Sequence, residues 1–469
     1  MLAPLLGRQK ELARLENYWE LAVGGTPQFV VMSGQRRVGK TFLLHHFAVS
    51  KRTIWHTGVG DSQNIELGRL ADNYRKSELA SSEPFLWEFG NWRQALQFVF
   101  GQATEKPLLV VIDEFTSIIE GSPSFSAELR DAWDLVAFQR EHHLMLVLLD
   151  SSITSTERQL KDNAPLYGRA TSFNLKPFKL AESLDFLPTT NAKNIVEAYA
   201  ACGGYPLHLL KWDTEINTEK NLINLAGTPG GILLESARLQ LNEFFSRSRG
   251  YERVIRALGS DRLSHKKLSN IVTSDLQTVV PVLIKAGVVE HEWPVGKAFE
   301  KTNTRLYRLV DPYLRFWYSV VAIHADSIEG GIGESIIKSN LEQFKHHVAQ
   351  VFEDSCRVHG GKVLQKEGIL FNKTGRWWGN IRDASSRMAR QIEVDFAAVN
   401  LGSELIALGE VAWGSESTEK LETEVLEKAE KLRVRPEGRK FVWSGRQGVS
   451  KRAKEVSTYF IDDVVFSEI

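Results

Sequence analysis

An α/β fold of several domains, the first built on a parallel sheet, is predicted by three observations. The runs Phe29-Val30-Val31-Met32, Leu108-Leu109-Val110-Val111-Ile112 and Leu144-Met145-Leu146-Val147-Leu148-Leu149 carry no polar alternation. Strands covered on both faces by helices read this way. The stretches between them place apolar residues at helical spacing, beginning with Leu12, Leu15, Tyr18 and Trp19 in a helix over residues 5–21. Finally, 469 residues exceed what one core ordinarily serves, so two to four domains are expected.

Composition sets the broad class. Apolar residues make up 43% and charged residues 25%, the balance of an ordinary globular chain. Lys plus Arg and Asp plus Glu number 58 each, so net charge points to no partner and only local segregation can. Cys202 and Cys356 lie too far apart for metal-ligand spacing and are expected to be core residues in a reducing compartment. No apolar run approaches the ~20 residues of a membrane span, and no signal-peptide layout opens the sequence. A cytoplasmic protein without a membrane partner is expected.

The first strand leads into Gly34-Gln35-Arg36-Arg37-Val38-Gly39-Lys40-Thr41, which fits the Walker A pattern G-x-x-x-x-G-K-[ST] at every position. Backbone amides of such a loop wrap phosphates, Lys40 reaches the β- and γ-phosphates, and the Thr41 hydroxyl ligates Mg²⁺. Phe42 opens the helix that follows, over residues 41–47. A glycine turn with a solvated Lys40 is the plainer alternative. Residues 51–105 say less: a strand at 54–58, then a helix whose aromatic face (Trp87, Phe89, Trp92, Leu96, Phe100) reads as core.

The second apolar run ends in Asp113-Glu114. Ligand chemistry in open α/β sheets gathers at the carboxyl ends of the strands, which places these acids beside the phosphate loop. Asp113 would hold Mg²⁺ and Glu114 would polarise the attacking water. The third run ends in Asp150-Ser151-Ser152, where a helix N-cap is one account of the serines. Arg169, with Arg158 behind it, is the candidate cation for charge developing during phosphoryl transfer, and a surface ion pair is the alternative.

Farther on, Cys202-Gly203-Gly204-Tyr205-Pro206 breaks a helical stretch. Residues 251–318 suit a winged helix, with Leu276, Val279, Val280, Leu283 and Ile284 on one face of its third helix. That helix turns Asp275, Gln277, Thr278 and Lys285 outward and is interrupted by Pro281, a poor surface for reading DNA. Intramolecular docking is the better expectation for it. After a glycine-rich break at 329–333, the last region carries two basic, aromatic groups. One holds Lys373, Arg376, Trp377, Trp378, Arg382, Arg387 and Arg390. The other runs from Arg433 to Lys454 through Arg435, Arg439, Lys440, Arg446, Lys451 and Arg452, with Phe441 and Trp443 between. Residues 373–390 and 433–454 are thus candidate nucleic-acid contacts or, equally, solvated faces.

Taken together, Leu-Gly-Arg-Gln-Lys-Glu-Leu at 6–12, the Walker A loop, Ile-Asp-Glu-Phe at 112–115, Tyr-Gly-Arg at 167–169 and Gly-Gly-Tyr-Pro at 203–206 resemble the archaeal-type ATPases of the AAA+/STAND group. The resemblance implies an ATP-driven or ATP-gated switch with ATP and Mg²⁺ as cofactors. It implies that the Gly7-Arg8 segment borders the adenine, that Ser151 senses the γ-phosphate, and that the Gly204-to-Pro206 turn contacts nucleotide and relays its state. The domains implied are a P-loop ATPase domain (1–190), a helical lid (191–245), a winged helix (246–328) and a carboxy-terminal domain (334–469). In the last, Asp395 and Glu410 on consecutive strands resemble the acids of PD-(D/E)xK nucleases, a possible second metal site. The lysine expected two residues on is Ala412, so a degenerate nuclease-like fold is expected unless Lys428 supplies the cation. Three functions follow as expectations: an ATPase switch, an ATP-regulated DNA-processing protein, and a scaffold for an unidentified protein partner.

Overall fold

The structure, a computed structural model, describes residues 3–77, 79–80, 88–139, 142–245, 249–259, 261–272, 276–296, 305–382, 389–414, 416–435, 437–452 and 455–467. The chain divides into two compact units, residues 1–177 and 178–469.

In the first unit, helix α1 (Gln9–Val23) precedes β1 (Gln28–Ser33), and α2 (Lys40–Ala48) follows the Walker A loop. Then come β2 (Thr53–Thr57), α3 (Gln63–Lys76), α4 (Trp92–Gly101), β3 (Leu108–Asp113), α5 (Phe115–Gly121), α6 (Phe125–Gln139), β4 (Leu144–Asp150), α7 (Ile153–Leu160) and β5 (Thr171–Asn174). The strands form one parallel sheet in the order β2-β3-β4-β1-β5. Every residue of β3 and β4 is buried, which is what the unbroken apolar runs require. Leu67, Leu70 and Tyr74 of α3, Trp92, Leu96 and Phe100 of α4, and Leu129 and Trp133 of α6 pack over them in one core. Phe89 is buried beside this core, ahead of α4, and Trp87 lies outside the described residues.

The second unit opens with helices Ala192–Cys202, Thr218–Ala226 and Ile232–Phe245. Both cysteines are free and buried, as expected of core residues. Helices Arg249–Ala257, His265–Ile271 and Leu276–Lys285 follow, with β6 (Leu263–Ser264), β7 (Val289–Glu292) and β8 (Leu306–Leu309) in an antiparallel sheet of order β6-β8-β7. Gln277, Thr278, Pro281 and Lys285 are exposed on the last of these helices, and Asp275 lies outside the described residues. Just past β7, the Val295 amide donates to the Arg376 carbonyl at 2.9 Å, and its side chain is buried in the carboxy-terminal core. At the expected break, 329–333, the helical path is interrupted: Gly331 takes a left-handed conformation (φ 92°), a kink between Ile328–Ile332 and the helix at Gly333–Ser339.

The long helix Leu341–Lys366 leads to a five-stranded mixed sheet of order β13-β12-β11-β10-β9. Its strands are β9 (Lys373–Arg382), β10 (Ala389–Val399), β11 (Leu405–Ala412), β12 (Arg439–Ser444) and β13 (Ser457–Phe460), with helix Thr418–Lys431 between β11 and β12. Asp354 of the long helix binds Arg308 (2.6 Å), Arg315 (2.9 Å) and Arg357, while Glu292 binds Arg262 (3.0 Å) and Arg376 (3.4 Å). These pairs tie β7 and β8 to the long helix and to β9. Among the described residues, no helix is long and apolar enough to cross a membrane.

Gly204 fixes the start of the second unit. Its carbonyl accepts from the Phe178 amide at 2.9 Å, and a Cβ at this position would run into the Phe178 backbone. Gly204→Ala is therefore expected to cost ~1–3 kcal/mol, as overpacking does, read as a lower denaturation midpoint.

Candidate functional site

Register assembles the site. Parallel pairing sets Ser33 opposite Asp150 and Ile112 opposite Leu148, so the loop after β1, Asp113-Glu114 and Ser151 all emerge from the carboxyl end of the sheet. Left-handed backbone at Arg37 (φ 69°) and Gly39 (φ 95°) curls the loop so that successive amides turn inward, and Gly39 caps α2. Gly34 passes so close to the Leu175 carbonyl that no side chain fits there. Val38 is buried, Gln35 and Arg37 are half-buried, and Arg36, Thr41 and Phe42 face outward.

Lys40 is 8% exposed, and its ammonium donates to the carbonyls of Gly34 (2.7 Å) and Gln35 (3.1 Å). Burial pushes its pKa down to about 8, while Glu114, Asp150 and Asp113 hold it up. The Thr41 hydroxyl donates to Asp113 Oδ2 at 3.1 Å, so the two predicted metal ligands already face one another. An alcohol and a carboxylate form a hard oxygen donor set suited to Mg²⁺. Asp113 Oδ1 accepts from the Glu114 amide at 2.9 Å. Glu114 is held in the left-handed region (φ 51°), and both its carboxylate oxygens accept from the Ser151 hydroxyl, at 3.2 and 3.1 Å. Ser152, not Ser151, caps α7, accepting from the Ser155 amide. The N-cap is thus Ser152 alone, and Ser151 is spent on Glu114.

Arg8 also reaches the loop. Its guanidinium donates to the Val38 carbonyl (3.2 Å), the Lys176 carbonyl (2.7 Å) and Glu11 (2.8 Å). The entry segment, the Walker A loop and the chain after β5 are thereby fastened together.

Arg169 is not brought to the site. Thr171, the first residue of β5, pairs with Val30, so Arg169 precedes the strand on the side away from the carboxyl ends where Gly34 lies. Its guanidinium forks onto Asp134 of α6 at 2.7 and 2.8 Å. Arg158 is exposed on α7, the helix that leaves the carboxyl end of β4.

Two buried acids escaped the sequence reading. Asp150 accepts from the Thr116 amide (3.0 Å) and hydroxyl and from the Ser152 amide, and burial pushes its pKa up to about 6. Glu66, fully buried, accepts from the amides of Val59 (2.8 Å) and Gly60 (3.0 Å) and pairs with His56 (3.1 Å), ordering the loop beside β3. A lone acid four residues before Leu70 and eight before Tyr74, on the apolar face of α3, was the available signal.

Gly204 and Pro206 lie in the second unit. Between them the Tyr205 hydroxyl donates to Asp311 Oδ2 at 2.5 Å, just beyond β8, and Asp311 also accepts from the Tyr313 amide. Burial pushes Asp311 up to about 6.

In the carboxy-terminal sheet, antiparallel pairing of Phe396 with Gly409 sets Asp395 opposite Glu410, at a bulge in β10. Asp395 Oδ2 accepts from the Val411 amide at 3.0 Å. Lys428, on helix Thr418–Lys431, places its ammonium 2.8 Å from both Glu410 and Glu424, so a cation reaches this centre although position 412 is alanine. Burial and Asp395 push Glu410 up to about 8.

Among the described residues, much of the two basic groups is buried or ion-paired, while Trp378 stays half-buried. Phe441 and Trp443 are fully buried, Arg376 is paired to Glu292 and Glu393, Arg435 to Glu404, and Arg439 to Glu367 (2.9 Å). Lys373 lies 5.8 Å over the Trp293 ring, and Trp377 packs on the core. Arg390, Arg433, Arg446, Lys451 and Arg452 are exposed. Arg387, Lys454 and the Arg382 side chain lie outside the described residues.

A parallel sheet with a Walker A loop after β1 and two acids at the end of β3, with β4 between the two strands, defines a P-loop ATPase domain. Residues 5–212 match a family described as an ATPase domain predominantly from Archaea, so this part of the chain is similar to the archaeal-type P-loop ATPases. Residues 317–425 match a second family, described as archaeal and bacterial proteins of unknown function. An uncharacterised Methanocaldococcus jannaschii protein is 23% identical over 397 residues, covering 82% of this chain and 83% of that one. A Walker-type ATPase of Pyrococcus abyssi shares the fold, with a TM-score of 0.53 at 19% identity over 67% of this chain and 96% of that one. The ORC2 protein of Aeropyrum pernix, in ADPNP–ADP complexes, aligns with a TM-score of 0.48 at 13% identity, over 73% and 96% of the two chains.

A carboxyl whose pKa is raised by folding keeps its proton in the native state after the unfolded chain has lost it. Stability therefore falls as pH rises from about 4 to about 6 on account of Asp311. Asp311→Asn is expected to remove on the order of 2–3 kcal/mol of that slope, measured by denaturation at pH 4 and pH 7.

Proposed function

We propose that the chain is an Mg-ATP-dependent switch that hydrolyses ATP slowly. The observation that carries this reading is the convergence of Lys40, Thr41, Asp113 and Glu114 on one mouth of the sheet, with Thr41 and Asp113 already in contact. Lys40 would exchange the Gly34 and Gln35 carbonyls for the β- and γ-phosphate oxygens, a short move for a flexible chain. Thr41 and Asp113 would hold Mg²⁺, which when bound neutralises phosphate charge. Glu114 must leave Ser151 before it can orient water, so turnover waits on that hydrogen bond. In this reading Ser151 reports the γ-phosphate by releasing or retaining Glu114.

The second unit is read as a lid (191–245), a winged helix (246–328) and a nuclease-like domain (334–469). The helix and strand order from Arg249 to Leu309 supports the winged helix, and its ion pairs with Asp354 support a docked rather than DNA-reading role. The Tyr205–Asp311 hydrogen bond supports the Gly204-to-Pro206 turn as the point from which nucleotide state passes into this unit.

Lys40→Ala is expected to abolish ATP binding, and Glu114→Gln to keep it while lowering phosphate release about 10²–10⁴-fold. Equal turnover in wild type and both variants would overturn the reading. Arg169→Ala should leave turnover unchanged in dilute protein, because its own site lies across the sheet.

A second reading is favoured by Lys428. Its ammonium at Glu410 meets the charge requirement that Ala412 leaves open, so Asp395, Glu410 and Lys428 would form a metal-dependent phosphodiesterase centre regulated by ATP. Supercoiled plasmid with Mn²⁺, with and without ATP, should be nicked by the wild type. Lys428→Ala should slow nicking about 10²–10³-fold, whereas plasmid left intact by the wild type would remove this option.

A further inference from the structure

A cavity of about 360 Å³ opens in the carboxy-terminal domain, where the end of helix Leu341–Lys366, β13 and the segment before β13 meet. Lys362 and Lys366 lie one turn apart on that helix and line one wall, and Arg452 lines another. Tyr459 is 2% exposed, and its hydroxyl has no hydrogen-bond partner among the described residues. Such a group costs free energy until something supplies one.

His359, also buried in the wall, accepts from the Trp443 indole N–H through Nδ1 at 3.0 Å, which leaves Nε2 as its N–H donor. Burial holds this imidazole neutral, with a pKa of about 4. The cavity is therefore rich in donors: two ammoniums, one guanidinium, one phenol and one imidazole N–H. Its acids are Asp462 and Asp463. Asp463 is occupied by the Phe460 amide at 2.7 Å, leaving Asp462 as an acceptor at the rim. Three cations against two carboxylates give the cavity an excess positive charge.

We infer that this cavity binds a small phosphomonoester bearing hydroxyl groups, a sugar phosphate or a nucleoside monophosphate. The phosphate would be held by Lys362, Lys366, Arg452 and the Tyr459 hydroxyl, and a ligand hydroxyl would donate to Asp462. The cavity belongs to the second unit and owes nothing to the Walker A loop, so it holds whether or not the ATPase reading does.

Calorimetry on the full-length chain carrying Lys40→Ala, which removes phosphate binding at the Walker A loop, tests the assignment. Ribose 5-phosphate and AMP are the phosphomonoester probes, with ribose and inorganic phosphate as controls. One saturable site for ribose 5-phosphate or AMP, with a dissociation constant below about 1 mM, is expected. Ribose should not bind, and inorganic phosphate should bind at least tenfold more weakly. Arg452→Ala should weaken binding about tenfold, and Tyr459→Phe about three- to tenfold, with neither variant less stable than the parent chain. A preference for AMP over ribose 5-phosphate would identify the nucleotide as the source. No saturable binding by either probe, inorganic phosphate binding as tightly as both, or affinity indifferent to Arg452→Ala would overturn the inference.

Discussion

The burial of one ammonium governs the first unit. Lys40 sits almost out of water with only carbonyl oxygens as direct partners, and the acids that sustain its charge come from two other strands. That constraint explains the sheet order. With β4 between β1 and β3, Asp150, Asp113 and Glu114 reach the mouth where Lys40 emerges, and none has to cross the sheet. The remaining polar contacts keep these acids in place: Thr116 and Ser152 on Asp150, Thr41 on Asp113, Ser151 on Glu114. Each acid is thus held by hydrogen bonds that a phosphate or a metal can displace in turn, which is how a buried charge cluster stays stable yet responsive.

A different economy rules the second unit. Asp354 gathers Arg308, Arg315 and Arg357, and their cationic field holds its carboxyl well below the usual range despite burial. The arginines come from β8, from the helix Pro312–Phe316 and from Asp354's own helix, so one carboxylate joins three elements. Removing it would leave several guanidiniums buried together, a far larger penalty than any single pair is worth. The segment around β8 is thereby fastened to the long helix by buried charge.

What the sequence disclosed follows from how local each feature is. The Walker A loop is eight consecutive residues, and Asp113-Glu114 closes an apolar run, so both were legible with their register partners still unknown. Glu66 lay hidden because one acid on a helix face looks like a fault in the pattern until the amides of Val59 and Gly60 are seen to meet it. The basic groups are the opposite case. Phe441 and Trp443 alternate with Lys440 and Val442 along β12, and a one-dimensional reading cannot tell that both aromatics are buried. The position of Arg169 depends on the direction of β5, which a sequence does not give. Once β5 runs parallel to β1, any residue before it belongs to the far edge of the sheet.

Lys428 illustrates the same limit and its consequence. A lysine on the strand beside Glu410 would project from the same backbone as the acid, at a fixed offset. On helix Thr418–Lys431 the ammonium arrives from another layer and pairs equally with Glu410 and Glu424, 2.8 Å from each. That pairing lowers the cost of burying Glu410, whose proton is otherwise held by burial and by Asp395. It also means that a divalent cation at Asp395 and Glu410 must compete with a fixed positive charge for the same carboxylate. Metal and lysine can coexist only if Lys428 turns to Glu424 alone, and Glu424 stands one helical turn away on the same helix, already in contact, to receive it. In the phosphodiesterase reading, this second carboxylate is what would let the centre exchange its Lys428 contact for a metal.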